Sequence, residues 1–402
     1  MLKKQTKKWL LGALCLGGVL SFTPAQAEVG VTKDTIVIGS INPLSGSPSL
    51  LGRAHWLALQ VWIAEVNERG GINGRKLKLI AEDDGYVPAR TRQMAKKLIS
   101  KDNVFAFLGT SGSSHLLAIM PLLDKDKIPV VNTLAVNSAH FDPPHPTVFN
   151  IGATYCMEME YAIELAVNHL GKKDSKYVLI YQDDDYGKDT RCGYLNGVER
   201  YGVKDVGQFK YKRGQKDFSA EILKAKATGA DVLISGGVVA EHAIFMKEAK
   251  KIGWDVTMIG THAAHLPPVQ ALMTGADDGY YVIDYVPPLT QMDIPGVKRF
   301  MDNAKKYLSE KEYKGLNRYS LASYVGSLVM EEAIQQCEEA LTRSCVVEKL
   351  ESLDSFQVGG LMSGVTFGEG NRFSISGVLA VQSQPEEKIF KMVTEPKVIP
   401  VR

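Results

Sequence analysis

Cysteine is scarce, five in 402 residues, and no two of them form a C-x-x-C pair. That removes the usual thiolate framework for a metal. Charge of one sign is missing too: 47 Lys plus Arg face 45 Asp plus Glu, a formal +2. So balanced a chain has no basic surface on the scale that nucleic acid or an anionic membrane requires. No G-x-G-x-x-G follows the first strand-like run, and no P-loop lysine motif occurs. Dinucleotide and phosphoryl-transfer chemistry therefore lose their main supports. A nucleophile elbow, G-x-S-x-G, fails because Ser113 stands where its second glycine belongs. Beyond residue 27 no stretch is long and apolar enough to cross a bilayer. These absences point away from an enzyme, from a cofactor and from a metal.

What is present begins with an address. Lys3, Lys4, Lys7 and Lys8 precede an apolar run from Trp9 to Phe22, and Ala25-Gln26-Ala27 offers a small-x-small cleavage site. The run is short and carries Gly12, Gly17 and Gly18, which suits a signal peptide over residues 1–27 better than a permanent anchor. Cys15 follows Leu14 rather than the small residue of a lipobox. Cleavage after Ala27 predicts an exported, periplasmic chain beginning at Glu28, its charge lowered from +2 to −2 by the four departed lysines. Four cysteines remain, and in an oxidising compartment they lean towards disulfides. Cys337 and Cys345, at the end of one helical stretch and the start of the next, are the expected bridge. Cys156 with Cys192 is the second candidate pair.

The mature chain alternates short β-branched runs with longer amphipathic ones, the pattern of parallel βαβ units. One series of strand-like runs is Thr35–Ile41, Lys76–Ala81, Val104–Leu108 and Pro129–Asn132. A second is Lys176–Tyr181, Val206–Tyr211, Asp231–Ser235 and Thr257–Gly260. Helical patterns such as Ala54–Arg69, Ala89–Lys101, Met157–Leu170 and Glu241–Ile252 lie between them. Two doubly wound α/β halves follow, with the proline-rich 143–150 segment as a crossing between them.

In open parallel sheets ligands sit beyond the carboxyl ends of the strands. Three loops there carry chemistry: 42–46 with 51–52, the Gly/Ser loop 109–114, and Asp183-Asp184-Asp185-Tyr186-Gly187. The Gly/Ser loop feeds a helix start, where exposed N–H groups hold an anionic or carbonyl oxygen, although ordinary capping explains the same residues. The acidic trio reads more simply as a solvated loop than as a cation site. His262 and His265 lie in a loop and lack the spacing of a zinc helix. Trp62 reads as core, and Trp56, nearer the loop, as a residue lining the cleft.

These residues resemble the leucine/isoleucine/valine-binding protein family, the type I periplasmic receptors of ABC uptake systems. The likeness rests on I36-x-I38-G39-x-I41-x-P43-x-S45-G46, on N67-E68-R69-G70-G71-I72-N73-G74-R75, on Asp83-Asp84, and on D185-Y186-G187, D217-F218-S219 and T366-F367-G368. It covers essentially the whole mature chain. It implies two Rossmann-like lobes of the Venus-flytrap kind, joined by three hinge crossings near Phe149, Tyr281 and Leu361. The lobes would be residues 28–149 with 281–361, and 150–280 with 362–402. It also implies a small-molecule ligand between the lobes, a membrane permease as partner, and a monomer.

Carried over residue by residue, the carboxylate contacts of the family fall on Ser113 and Ser114 and its tyrosine on Tyr186. A threonine contact falls on Val136, an aromatic hydroxyl near Val238, and the acid that pairs with a ligand ammonium on His262. An ammonium left without its counter-charge loses a factor on the order of 100 in affinity. About 200 Å² of added apolar burial is worth roughly 5 kcal/mol in the other direction. The expected ligand is small and largely apolar with one polar end: an aromatic acid, an amide, or a terpenoid- or sterol-like lipid, covered in part by Trp56. Three other readings stand beside it. One is a branched-chain or aromatic amino acid, with Glu241 or Asp284 receiving the ammonium. The second is a ligand-sensing module, against which the lack of a transmembrane segment speaks. The third is a hydrolase using Ser111 or Ser113, which no motif supports.

Overall fold

The computed structural model describes residues 28–399 except 47, 111 and 376; the expected signal peptide, residues 1–27, lies outside the described residues. Two sheets organise the chain. The first holds β1 (Thr35–Asn42), β2 (Lys76–Asp83), β3 (Ala106–Leu108), β4 (Val130–Asn132), β5 (Val148–Gly152) and, from far downstream, β11 (Phe373–Ile375). Its order is β11-β5-β4-β3-β1-β2, and every pairing is parallel. The second holds β6 (Lys176–Gln182), β7 (Lys204–Tyr211), β8 (Val232–Gly236), β9 (Thr257–Gly260), β10 (Tyr280–Asp284), β12 (Leu379–Gln384) and β13 (Ile389–Met392). Its order is β13-β12-β10-β9-β8-β6-β7, parallel from β6 to β10 and antiparallel at β12 and β13.

Parallel strands need helical crossovers, so both faces are covered and the strands become apolar throughout. β8 and β3 are buried at every residue. The helix Ser49–Glu68 packs on the helix Arg318–Gln336 beside the first sheet. Trp62 is wholly buried there, and its indole N–H donates to Glu331 at 2.7 Å, the partner a buried tryptophan requires.

The chain changes sheet three times: between Gly152 and Lys176, between Asp284 and Phe373, and between Ile375 and Leu379. Phe149 and Tyr281 lie inside β5 and β10, so the changes come after those strands, and the last comes after β11 rather than near Leu361. The proline-rich 143–150 segment hid β5, because its strand begins only at Val148, where the prolines end. Two disulfides are formed. Cys337–Cys345 has its sulfurs 2.05 Å apart, and Cys156–Cys192, the second candidate pair, has them 2.09 Å apart. The latter ties the helix Tyr155–Asn168 to the helix Asp185–Tyr201.

Candidate functional site

The carboxyl ends of the two sheets face one another, and the loops beyond them close around a tight chamber. From the first lobe come Leu51, Tyr86, Gly112, Ser113, Leu134, Ala135 and Tyr319. From the second come Tyr155, Tyr186, Val238 and Ala263. Both lobes therefore wall a single space.

The first-lobe wall is polar at one end. Ser113 opens the helix Ser113–Leu123, whose N-cap is Gly112 and has no side-chain cap. Ser113 Oγ and Thr110 Oγ1 are buried and have no hydrogen-bond partner among the described residues. Gly112 has φ +145°, and a Cβ there would lie 2.2 Å from the His115 ring. Only glycine brings backbone this close to the ring. Burial pushes the His115 imidazole down to about 3, which keeps it neutral beside the helix start. The hydroxyls of Tyr86 and Tyr319 also have no protein partner among the described residues.

The second-lobe wall turns its polar atoms inward. Tyr186 donates its hydroxyl to the Gly237 carbonyl at 2.6 Å and lies 2.9 Å from Thr261 Oγ1, so its ring is what the chamber meets. The Tyr155 ring stands perpendicular to it at 4.5 Å and stacks on His262 at 5.2 Å. Its hydroxyl is the one on this wall without a protein partner among the described residues. His262 is fully buried and held by Glu158, with the ring Nδ1 at 2.5 Å and the backbone N–H at 3.0 Å from its two carboxylate oxygens. Burial pushes the Glu158 carboxyl up, and His262 opposes that shift. Asp284 is tied to Arg318 by three hydrogen bonds and to His265 at 2.5 Å. Burial alone raises its carboxyl, but the Arg318 guanidinium and the hydrogen bonds from Arg318 and His265 more than offset it and hold the group well below its ordinary range. Arg318 lies between the Tyr285 and Tyr319 rings, at 4.5 and 4.7 Å.

The residues expected at the site separate into four groups. Ser113, Tyr186 and Val238 line the chamber. Val136 and His262 are fully buried one layer behind it, and their neighbours Leu134, Ala135 and Ala263 line it instead. Ser114 points across to the other lobe, its Oγ donating to Asp185 Oδ2 at 2.8 Å. Trp56 is removed from the chamber altogether, in an outer groove with Leu44, Leu50, Leu57 and Lys311. It points outward because the core-facing stripe of its helix runs through Ala58, Leu59 and Trp62. Sequence reasoning missed Tyr86, Tyr155, Tyr319 and Glu158. Tyr86 was in view, two residues after the Asp83-Asp84 pair. The other three sit in helical patterns that read as core or surface.

The chain belongs to the periplasmic binding protein family, whose model matches residues 35–385. A curated relative from Brucella suis biovar 1, Leu/Ile/Val-binding protein homolog 8, is 27% identical over 390 residues, covering 93% of each chain. Among solved structures, a branched-chain amino acid ABC transporter protein from Thermus thermophilus with bound valine superposes with a TM-score of 0.80 at 18% identity, covering 91% of this chain and 97% of that one. An ABC transporter solute-binding protein from R. palustris in complex with 4-hydroxybenzoate gives 0.77 at 20% identity, covering 91% and 97%. The fold is that of the type I, Venus-flytrap receptors. Proteins of this family are substrate-binding components that work with ABC permeases outside the cytoplasm. No helix among the described residues is long and apolar enough to cross a membrane.

Proposed function

We propose that this receptor takes a small, largely apolar molecule with one polar end, an aromatic carboxylic acid fitting best, and presents it to its permease after export by the leader 1–27. One observation carries the reading: every carboxylate near the chamber is engaged within the protein. Glu158 is taken by His262, and Asp284 by Arg318 and His265. Glu241 accepts from the Val239 N–H in an outer vestibule rather than in the chamber. A ligand ammonium would enter with no counter-charge, which disfavours a free amino acid.

The other features agree. The start of the helix Ser113–Leu123, with unpartnered Ser113 Oγ, offers donors to a carboxylate. Four tyrosine rings and Val238 suit a flat apolar body, and the hydroxyls of Tyr86, Tyr155 and Tyr319 suit a second polar substituent. Support also comes from the R. palustris protein, solved with 4-hydroxybenzoate.

Isothermal titration is the test. Benzoate or 4-hydroxybenzoate should bind with a negative heat-capacity change, the mark of buried apolar surface. Leucine, isoleucine and valine should show no binding at micromolar concentration. Micromolar leucine binding would replace this reading with the amino-acid one.

A further inference from the structure

The strands that carry the sheet changes lie toward one side of each sheet. β11 and β5 form one edge of the first sheet, and β2 is the opposite edge. In the second sheet β12 and β10 lie toward one side, and β7 is the opposite edge. β2 is five interstrand steps from β11, and β7 is five from β12; at ~4.8 Å a step that is about 24 Å in each lobe. Tyr86 follows β2 and Arg213 follows β7. The two residues thus stand at the ends of the jaws farthest from the joints.

They meet there. The Arg213 guanidinium lies 5.1 Å from the centre of the Tyr86 ring and donates to Ser114 Oγ at 3.2 Å. Asp184 of its own lobe pairs with it and fixes its direction. Beside it Asn137 donates to the Asp185 carbonyl at 2.9 Å. Tyr86 is equally fixed on its side. Its φ of +62° is rare for a bulky residue. Its N–H is held by Asp84 at 2.9 Å, and its ring stacks on His115 at 4.4 Å. A fixed ring on one lobe meets an oriented cation on the other, and every partner is the protein's own.

We infer that Arg213 is a cross-lobe catch, seated on Tyr86 and Ser114, that populates the closed receptor even without ligand. The chamber's occupant adds to a closure that already exists, so binding selects a state the catch has prepared. The inference is independent of ligand class.

Pulsed dipolar spectroscopy on the mature chain, dialysed free of small molecules, tests it. Lys125 of the first lobe and Lys224 of the second are exposed and can be changed to cysteine and labelled. All four native cysteines of the described chain are in disulfides, so only the new thiols react. The unaltered site should show a closed distance population, and Arg213→Ala should lower the closed-to-open ratio about tenfold. Arg213→Lys, which keeps charge without the planar fork, should fall between. In a Tyr86→Leu background Arg213→Ala should have less than half its effect on the ratio, a coupling that a general loss of stability would not produce. A receptor with no closed population before mutation, or an unchanged ratio in Arg213→Ala, would overturn the inference.

Discussion

The two walls of the chamber are built to different plans. The first lobe leaves Ser113 Oγ and Thr110 Oγ1 buried without a partner among the described residues. The second lobe pairs Tyr186 with Gly237 and His262 with Glu158, leaves only the Tyr155 hydroxyl without a protein partner among the described residues of this wall, and offers rings, Val238 and Ala263. A buried polar atom without a partner costs on the order of 1–3 kcal/mol until something satisfies it. One wall therefore selects by hydrogen bonding, and the other closes by apolar contact. The difference assigns the ligand's polar end to the first lobe and its body to both.

The comparison breaks most visibly if the internal pairs of the second lobe are unimportant. Glu158→Ala should cost about 3–5 kcal/mol in denaturant unfolding, because it strands the His262 ring and backbone N–H. A loss below ~1 kcal/mol would show that the pair is not what holds this wall. His262→Glu would set a second carboxylate against Glu158 and should destabilise the lobe before it alters ligand preference.

Next in size are the bridges. Cys156 adjoins Tyr155, so the Cys156–Cys192 disulfide braces the apolar wall, whereas Cys337–Cys345 lies in the other lobe. Chain-entropy estimates for loops spanning 36 and 8 residues give about 4 and about 2.5 kcal/mol. Paired serine variants should lose stability in that order, and the reverse order would count against the loop-length account.

Asp189 is buried and receives the Ser138 and Cys156 N–H groups at 3.4 and 3.3 Å, joining the walls. Burial raises its carboxyl from 3.8 to about 6. Between those values the folded chain keeps a proton that the unfolded chain releases, so this contribution is favourable at low pH and stability falls as pH rises through 6. Asp189→Asn should thus gain up to about 3 kcal/mol at pH 7 and little near pH 4. Equal effects at both pH values would refute the shifted titration.

The smallest effects sharpen the contrast most directly. With 4-hydroxybenzoate as probe, Ser113→Ala should weaken binding about 10- to 30-fold. Tyr186→Phe, whose hydroxyl serves its own lobe, should change it less than about threefold. Equal losses would erase the distinction between the walls.

Much of this was legible in the residues. Period-2 and period-3.6 patterns place β1, β2, β6 to β9 and most long helices, since fully covered parallel strands announce themselves as β-branched runs. β5, β10 and β11 escaped because they lie beside the crossings, where proline or loop composition masks three to five residues of strand. Ser113 was readable from a Gly/Ser loop before a helix. Tyr155 and Glu158 were not, for a helix start that faces a cleft has the same composition as one that faces a core. The pair Glu158–His262 joins residues 104 apart in sequence, a distance that no local pattern records.

The placement of the tryptophans has an optical consequence. Trp62 is sealed in one lobe against Glu331, Trp254 in the other against the Ala230 carbonyl, and Trp56 faces an outer groove. The chamber itself is lined with tyrosine. Indole emission should therefore report the integrity of each lobe separately and stay nearly silent when the chamber fills. Occupancy will be written instead in the tyrosine absorption band, where an aromatic guest would perturb several rings at once.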